Sequence, residues 1–362
     1  MNEKTHDRSF RALLAAQFFG AFNDNVFQVV VALLLVRWLD ELTARKLVAA
    51  SGVVFALPFL LFSLAAGRLA DRWSKRRIIV LAKALDILVV AIAITGIYSK
   101  SIPLILAGLF LLAVQSAFFG PAKYGILPEL KSEAGLSMAN GFLNGATVVA
   151  ILLGNVAGTL LIGNIHLVAL VTGLMAAGSI SASLLIEKTP PINPGQKLEW
   201  NPFPDFFRNW ALIGESRALK LSMIAVSYFW FLGGVLHLNT LVYVKQVMRL
   251  SDSVSGLILT AIVAGVALGS WLAGKMSKGK VELGLVPLGA IGTSVFTIDL
   301  FFSHGSLART MADAFALGLS SGFYIIPLNT LIQLRSPAQD RGRVLATANF
   351  LSFIAIAVSG GF

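Results

Sequence analysis

Cysteine is missing from all 362 residues, which excludes disulfides and cysteine-ligated metal sites. Charge is scarce: Asp, Glu, Lys and Arg together make up 13% of the chain. A water-facing domain needs more than that to cover its surface. Acidic residues are the scarcer sign, 18 against 29 basic ones. Enzyme signatures are missing as well. The sequence holds no Gly-x-Ser-x-Gly, no His-Glu-x-x-His, no Walker loop and no glycine fingerprint after a strand. His6 and Asp7 are adjacent near the terminus, not spaced as an acyltransferase pair at a membrane surface would be. A nucleotide-driven pump is excluded on the same grounds, and neither a cofactor nor a metal is expected.

What the chain has is apolar length. Hydrophobic residues make up 56% of it, and the mean hydropathy is +0.80. About 20 consecutive apolar residues cross a bilayer. Such stretches recur at 10–36, 47–66, 78–98, 102–120, 137–161, 165–186, 219–244, 254–275, 282–302, 307–333 and 344–362, eleven in all. The expected fold class is therefore an all-α integral membrane protein. The polar start, Met1 to Arg11, runs straight into the first span, which is expected to be its own insertion signal.

The net charge of +11 would raise nucleic acid as a partner in a soluble protein. Here the basic residues fall in short segments between apolar stretches, so contact with membrane lipids is expected and nucleic acid is not. Assigned to alternate sides, they divide about three to one. The richer side holds Lys4, Arg8, Arg11, the segment Arg68 to Arg77, Lys123 and Lys131. It also holds Lys188 to Lys220, Lys275 to Lys280, and Arg335 to Arg343. That side is expected to be cytoplasmic, with the N-terminus inside. Lys83 fits neither side, because it falls within the third span.

The longest polar interruption, Glu187 to Arg217, carries five prolines, which forbid one continuous helix. Six spans, a long inner loop, then further spans is the layout of a two-bundle secondary transporter. The expected division is a six-helix bundle at 1–187, a central cytoplasmic loop at 188–217 and a second bundle at 218–362. A weak repeat supports it. Pro121 precedes Ala139-Asn140 much as Pro327 precedes Ala348-Asn349. On that repeat a twelfth span is missing. The apolar run reaches Phe362 without a polar tail, so the chain is expected to be truncated or the front of a longer polypeptide.

The sharpest motif lies between spans two and three: Gly67-Arg68-Leu69-Ala70-Asp71-Arg72-Trp73-Ser74-Lys75-Arg76-Arg77. It resembles the signature loop of the major facilitator superfamily, with Ser74 in place of a glycine and Lys75 in place of an arginine. Gly67 permits close helix approach. Asp71 can sit against the positive N-terminus of a helix in the other bundle, with arginines such as Arg72 and Arg76 nearby. Such a contact would latch an inner gate and break at each turnover. The plainer reading is a basic loop that sets topology. The corresponding loop of the second half, Gly274 to Gly284, keeps lysines and lacks an aspartate.

Polar residues inside spans are costly and mark function by default. In span one Gln17, Asp24 and Gln28 share one helix face, with Asn23 and Asn25 beside Asp24. Lys83 and Asp86, three apart in span three, can neutralise each other and read as a structural pair. Lys123 follows Gly120-Pro121, where a loosened helix would let it reach a phosphate; otherwise it snorkels to the edge. Asn140 and Asn144 lie one turn apart in span five. His237 and Asn239 mark span seven, and Asn329 and Gln333 mark span ten. His237 is either a proton carrier or a neutral, hydrogen-bonded side chain.

The run Gln17-Phe18-Phe19-Gly20-Ala21-Phe22-Asn23-Asp24-Asn25, with Pro121-Ala122-Lys123-Tyr124-Gly125-Ile126-Leu127-Pro128-Glu129-Leu130 and Ala139-Asn140-Gly141, resembles the bacterial lysophospholipid transporter family. Pro327-Leu328-Asn329 and Gln333 extend the likeness across the chain. The resemblance implies a major facilitator fold with two six-helix bundles, the second incomplete here. It implies movement of lysophospholipids such as lysophosphatidylethanolamine from the outer to the inner leaflet of the bacterial inner membrane. It also implies a fused or associated acyltransferase and acyl-carrier ligase that restore the second chain. A head bearing phosphate and amine would find its acid in Asp24 and its base in Lys123. Asn25, Gln28, Asn140, Asn144 and His237 would complete the site. Two other readings stand beside it: a proton-coupled facilitator for a soluble solute or drug, and a membrane module that anchors or regulates an acyltransferase.

Overall fold

A computed structural model describes residues 3–196, 202–249, 252–303 and 305–360. No strand occurs among them. The helices are α1 (Glu3–Trp38), α2 (Glu41–Arg72), α3 (Lys75–Tyr98), α4 (Ile102–Leu130), α5 (Glu133–Leu161) and α6 (Ile165–Leu184). They continue as α7 (Pro202–Gly214), α8 (Arg217–Gln246), α9 (Asp252–Met276), α10 (Leu285–Phe302), α11 (Leu307–Arg335) and α12 (Arg341–Ser359). Among the described residues, eleven helices are long and apolar enough to cross a membrane; α7 is the exception. The chain is a multi-pass membrane protein.

The helices outrun the apolar stretches that announce them. Pro121 does not end α4, which continues through Pro128 to Leu130; Pro327 likewise lies inside α11. Neighbouring helices supply the packing that tolerates a proline here. The central loop also holds more order than its prolines suggest. Pro202 opens α7, where a missing N–H costs nothing. Asp205, Asn209 and Ile213 recur every four residues on its buried face, while Phe207 and Arg208 point to the surface. That four-residue period was the overlooked signal for a helix in this loop.

The chain forms two compact units. The first holds Met1–Leu130, Ala150–Ala211 and Pro337–Phe350. In it α1 packs on α6, α3 on α4 and α6, and α2 on α4. Its apolar core is built from Phe27, Val31 and Leu34 of α1 with Val89 and Ala93 of α3 and Leu109 and Leu112 of α4. The second unit holds Lys131–Val149, Leu212–Ser336 and Leu351–Phe362, where α11 packs on α8, α9 and α10. Small residues set its approaches. A Cβ on Gly141 would meet the Ser270 carbonyl oxygen at 2.5 Å, so α5 and α9 touch backbone to backbone.

Candidate functional site

One stripe of α1 positions most of the chemistry in the first unit. Gln17, Gly20, Asp24, Phe27, Val31 and Leu34 recur at alternate spacings of three and four, which places them on one side of the helix. The second half of this stripe is apolar core. The first half is polar over about 10 Å of helix. At Gln17 the Oε1 accepts a hydrogen bond from Lys123 Nζ of α4 at 3.1 Å. At Gly20 the space a side chain would fill is taken by the Lys83 ammonium of α3. At Asp24 the Oδ2 accepts from Ser116 Oγ of α4 at 3.2 Å.

Lys83 Nζ also pairs with Asp86 Oδ2 at 3.2 Å, and both side chains are almost fully buried, 2% and 1% exposed. Lys83 Nζ lies 4.1 Å from the centre of the Phe119 ring, and Lys123 Nζ lies 5.4 Å from the same ring. The two lysines thus converge on one aromatic side chain, and Asp24 and Asp86 lie close enough for the four charges to act on one another. The cluster is balanced in charge but not in hydrogen bonds. Buried Oδ1 atoms of Asn23, Asp24 and Asp86, and Nε2 of Gln115, have no hydrogen-bond partner among the described residues. Buried polar atoms are rarely left so, and the two free carboxylate oxygens, on Asp24 and Asp86, can receive a ligand of opposite charge.

Of the other residues expected in this site, Asn25, Asn140 and Asn144 bond elsewhere. Asn25 donates back to Ala21 O of its own helix at 2.7 Å, and its Cβ faces Gly154 of α5. Gln28 lies half-buried on the turn after Asp24. Asn140 and Gln333 form a reciprocal amide pair in the second unit, at 2.7 and 2.9 Å, with Thr330 Oγ1 also accepting from Asn140. That pair is buried, and Asn140 offers no free group to a substrate in this conformation. Asn144 donates to Ser270 Oγ of α9 at 2.8 Å. His237 lies on α8, and its side chain is outside the described residues. Lys83 and Asp86, read from sequence as a structural pair, are the ones that join Asp24 and Lys123. The signal was present in Gly20, one turn before Asp24, which leaves room for a long side chain from a neighbour.

A second charged cluster stands at the end of α2. Asp71 is fully buried. Its Oδ1 accepts from the Gly342 N–H at 2.6 Å and its Oδ2 from the Arg343 N–H at 3.0 Å. These are first-turn donors of α12, which have no partner within their own helix, and the helix dipole adds to the attraction. Gly67 and Gly342 make the approach feasible: a Cβ on Gly67 would meet the Gly342 carbonyl oxygen at 2.6 Å. Helix α7 closes the cluster. Arg68 pairs with buried Asp205, which also pairs with Arg208 at 2.8 Å. Asn209 accepts from Arg343 Nε at 2.9 Å and donates to Thr347 Oγ1 at 3.0 Å. Arg343 completes its bonding on Asp340 at 2.7 Å.

Of the two arginines expected beside Asp71, Arg76 turns instead to the end of α6, donating to Ile186 O at 2.5 Å and Leu184 O at 3.0 Å. Arg72 is half-buried on the last turn of α2. Lys75 pairs with Glu129 of α4 at 2.5 Å, through a gap left by Gly125. The run from Lys123 to Glu129 therefore faces two ways: Lys123 toward α1, Gly125 and Glu129 toward the start of α3. An open groove of about 480 Å³ lies apart from both clusters, between the start of α1 and the end of α6, lined by Asp7, Arg8, Arg11 and Leu185. Among the described residues no group of His, Asp and Glu is placed to hold a metal.

Eleven candidate spans among the described residues, with charges inside them and an aspartate bonded to a helix N-terminus, have the form of a secondary transporter. The Major Facilitator Superfamily model matches residues 13–360. The chain is 31% identical over 366 residues to "Lysophospholipid transporter LplT" of Escherichia fergusonii, covering 96% of this chain and 88% of that protein. It is 29% identical over 376 residues to the protein of the same name from Klebsiella pneumoniae, covering 99% and 91%. The chain belongs to the major facilitator superfamily and, within it, to the family of these lysophospholipid transporters. Among solved structures the fold is similar to the human organic anion transporter MFSD10, with a TM-score of 0.80 at 15% identity, covering 97% of this chain and 92% of that one. It is also similar to the proton:xylose symporter XylE, with a TM-score of 0.74 at 13% identity, covering 99% and 88%.

Proposed function

We propose that this chain moves lysophospholipids from the outer to the inner leaflet of the bacterial inner membrane by alternating access. Its N-terminus lies in the cytoplasm, and the functional halves are the bundles at 1–187 and 218–362, joined by the loop at 188–217. The observation that carries the reading is the polar strip of α1, where Asp24 and Lys123 stand within one charged cluster at mid-helix. A lysophospholipid head offers a phosphate to Lys123 and, in lysophosphatidylethanolamine, an ammonium to Asp24. Its acyl chain needs no polar partner and can remain among apolar side chains or in lipid. The name borne by the relatives supports the same cargo.

In this reading Asp71 on the N-terminus of α12 is the inner latch. The latch engages through helix-end hydrogen bonds and releases when the two helices separate by a few ångströms. Gly67 and Gly342 hold the backbones close enough for it. A lipid delivered inside is a substrate for reacylation by an acyltransferase.

The test is uptake of a labelled lysophosphatidylethanolamine by proteoliposomes holding the full chain. Wild-type protein takes it up, and Asp24→Ala and Lys123→Ala each lose at least ~10-fold in rate while inserting normally, because each removes one of the charges that offset burial of the head. Normal uptake by either variant removes that residue from the site. Uptake of a soluble solute in place of the lysolipid, abolished by Asp24→Ala, would replace the lipid reading with a proton-coupled facilitator.

A further inference from the structure

We infer that Lys83 and Asp86 are the second half of the headgroup site: an ion pair that opens to admit a zwitterionic phosphate–amine head. The inference rests on the lysolipid reading above and adds to it the residues that select the head. The geometry behind it has three parts. First, Lys83 is not packed as a pair facing only its own helix. Its ammonium crosses to α1 and fills the notch at Gly20, one turn from Asp24 on the same stripe. Second, Lys83 and Lys123 share the Phe119 ring, so the cluster holds two ammonium groups near one another, as one phosphate can use. Third, Asp86 is 1% exposed and keeps Oδ1 unpartnered, as does Asp24. Two carboxylates thus have an acceptor atom each to offer one ammonium.

The charge count explains why a zwitterion suits such a site. Two Asp and two Lys sum to zero, so a neutral head adds no net charge to a low-dielectric interior. A buried ion pair is costly to split unless each partner finds a replacement. A head bearing phosphate and ammonium supplies both replacements at once: phosphate on Lys83 and Lys123, ammonium on Asp86 and Asp24. A head with phosphate and no amine leaves Asp86 uncompensated when Lys83 turns away from it. The site therefore favours lysophosphatidylethanolamine over lysophosphatidylglycerol.

The experiment measures uptake of both lipids by proteoliposomes with wild-type chain, Asp86→Asn, Lys83→Met and the double variant Lys83→Met/Asp86→Leu. Each variant is first checked for a monodisperse elution profile. Asp86→Asn is expected to lower uptake of lysophosphatidylethanolamine about 10-fold while lysophosphatidylglycerol is affected less, because only the amine loses its partner. Lys83→Met is expected to slow both lipids, since both carry phosphate. A purely structural pair behaves otherwise, because apolar replacement of a buried pair is often neutral or stabilising. Transport by the double variant at the wild-type rate and preference would overturn the inference. So would an unchanged preference, or equal loss of both lipids, in Asp86→Asn. If Asp86→Asn does not fold, the double variant decides alone, its loss of uptake supporting the inference. Failure of the wild-type chain to move either lipid sinks the lysolipid reading itself and is seen before any variant is compared.

Discussion

At the end of α2, charged groups meet fixed partners: Asp71 two backbone N–H groups, Arg343 both Asn209 and Asp340, Asp205 two arginines. Along α1, the same residue types are left with buried acceptor atoms unfilled on Asn23, Asp24 and Asp86. The two clusters lie in one compact unit and bury similar side chains. Asp205 also keeps a buried Oδ2 unfilled, so the contrast lies between two carboxylates: Asp71 is filled on both oxygens and Asp24 on one. A carboxylate satisfied on both oxygens stabilises one arrangement, as the proposed latch requires. An unsatisfied one costs stability and is retained where a ligand completes it. Stability and transport should therefore respond in opposite ways at the two places.

The largest expected contrast comes from matched isosteric changes. Asp24→Asn should abolish lysolipid uptake without lowering the melting temperature in detergent, because it removes a charge that lacks a full set of partners. Asp71→Asn should lower the melting temperature. It replaces a carboxylate that accepts on both oxygens, and hydrogen bonds to charged groups contribute about 1.5–3 kcal/mol each. Equal thermal shifts for the two variants would erase the distinction. The absence of cysteine allows a cleaner look at the latch. With Ala346→Cys as a reporter beside Gly67, Asp71→Asn should raise labelling by a soluble maleimide about 10-fold, the change expected for ~1.4 kcal/mol of population shift.

Smaller effects sharpen the assignment of α7. Asn209→Ala leaves Arg343 with Asp340 and removes the bond to Thr347, so the reporter at position 346 should label a few-fold faster, on the scale of about 1 kcal/mol. No change would make α7 a bystander to the latch. The smallest effect belongs to the second unit. Asn144→Ala loses a single interhelical bond to Ser270, worth about 0.6 kcal/mol in a membrane bundle, and uptake should stay near the wild-type rate. A large loss there would return Asn144 to the list of residues that touch substrate.

Much of this was legible without coordinates. Eleven spans followed from apolar length, because the bilayer sets one minimum for each of them. The partner type of Asp71 follows from helix electrostatics, since an acid one turn after a glycine at a helix end has few better sites than another helix's N-terminus. Helix α7 is hidden in the sequence because its prolines resemble helix breakers, although at a helix start they are at home. In sequence a polar residue in a span such as Asn140 looks the same whether it meets cargo or another amide. Only the placement of Gln333 opposite it, 193 positions later, separates the two cases.

Sequence alone determined the solvent, the number of crossings and the kinds of charge placed within them, since these depend on residues near one another along the chain. Tertiary structure decided which charges meet. Lys83 could neutralise Asp86 from sequence spacing alone, but its approach to Gly20, Phe119 and Asp24 depends on how α3 and α4 pack against α1. Hydrogen bonds fail within an ångström or two and Coulomb energies fall with distance, and distances between helices are set by packing that no local pattern encodes.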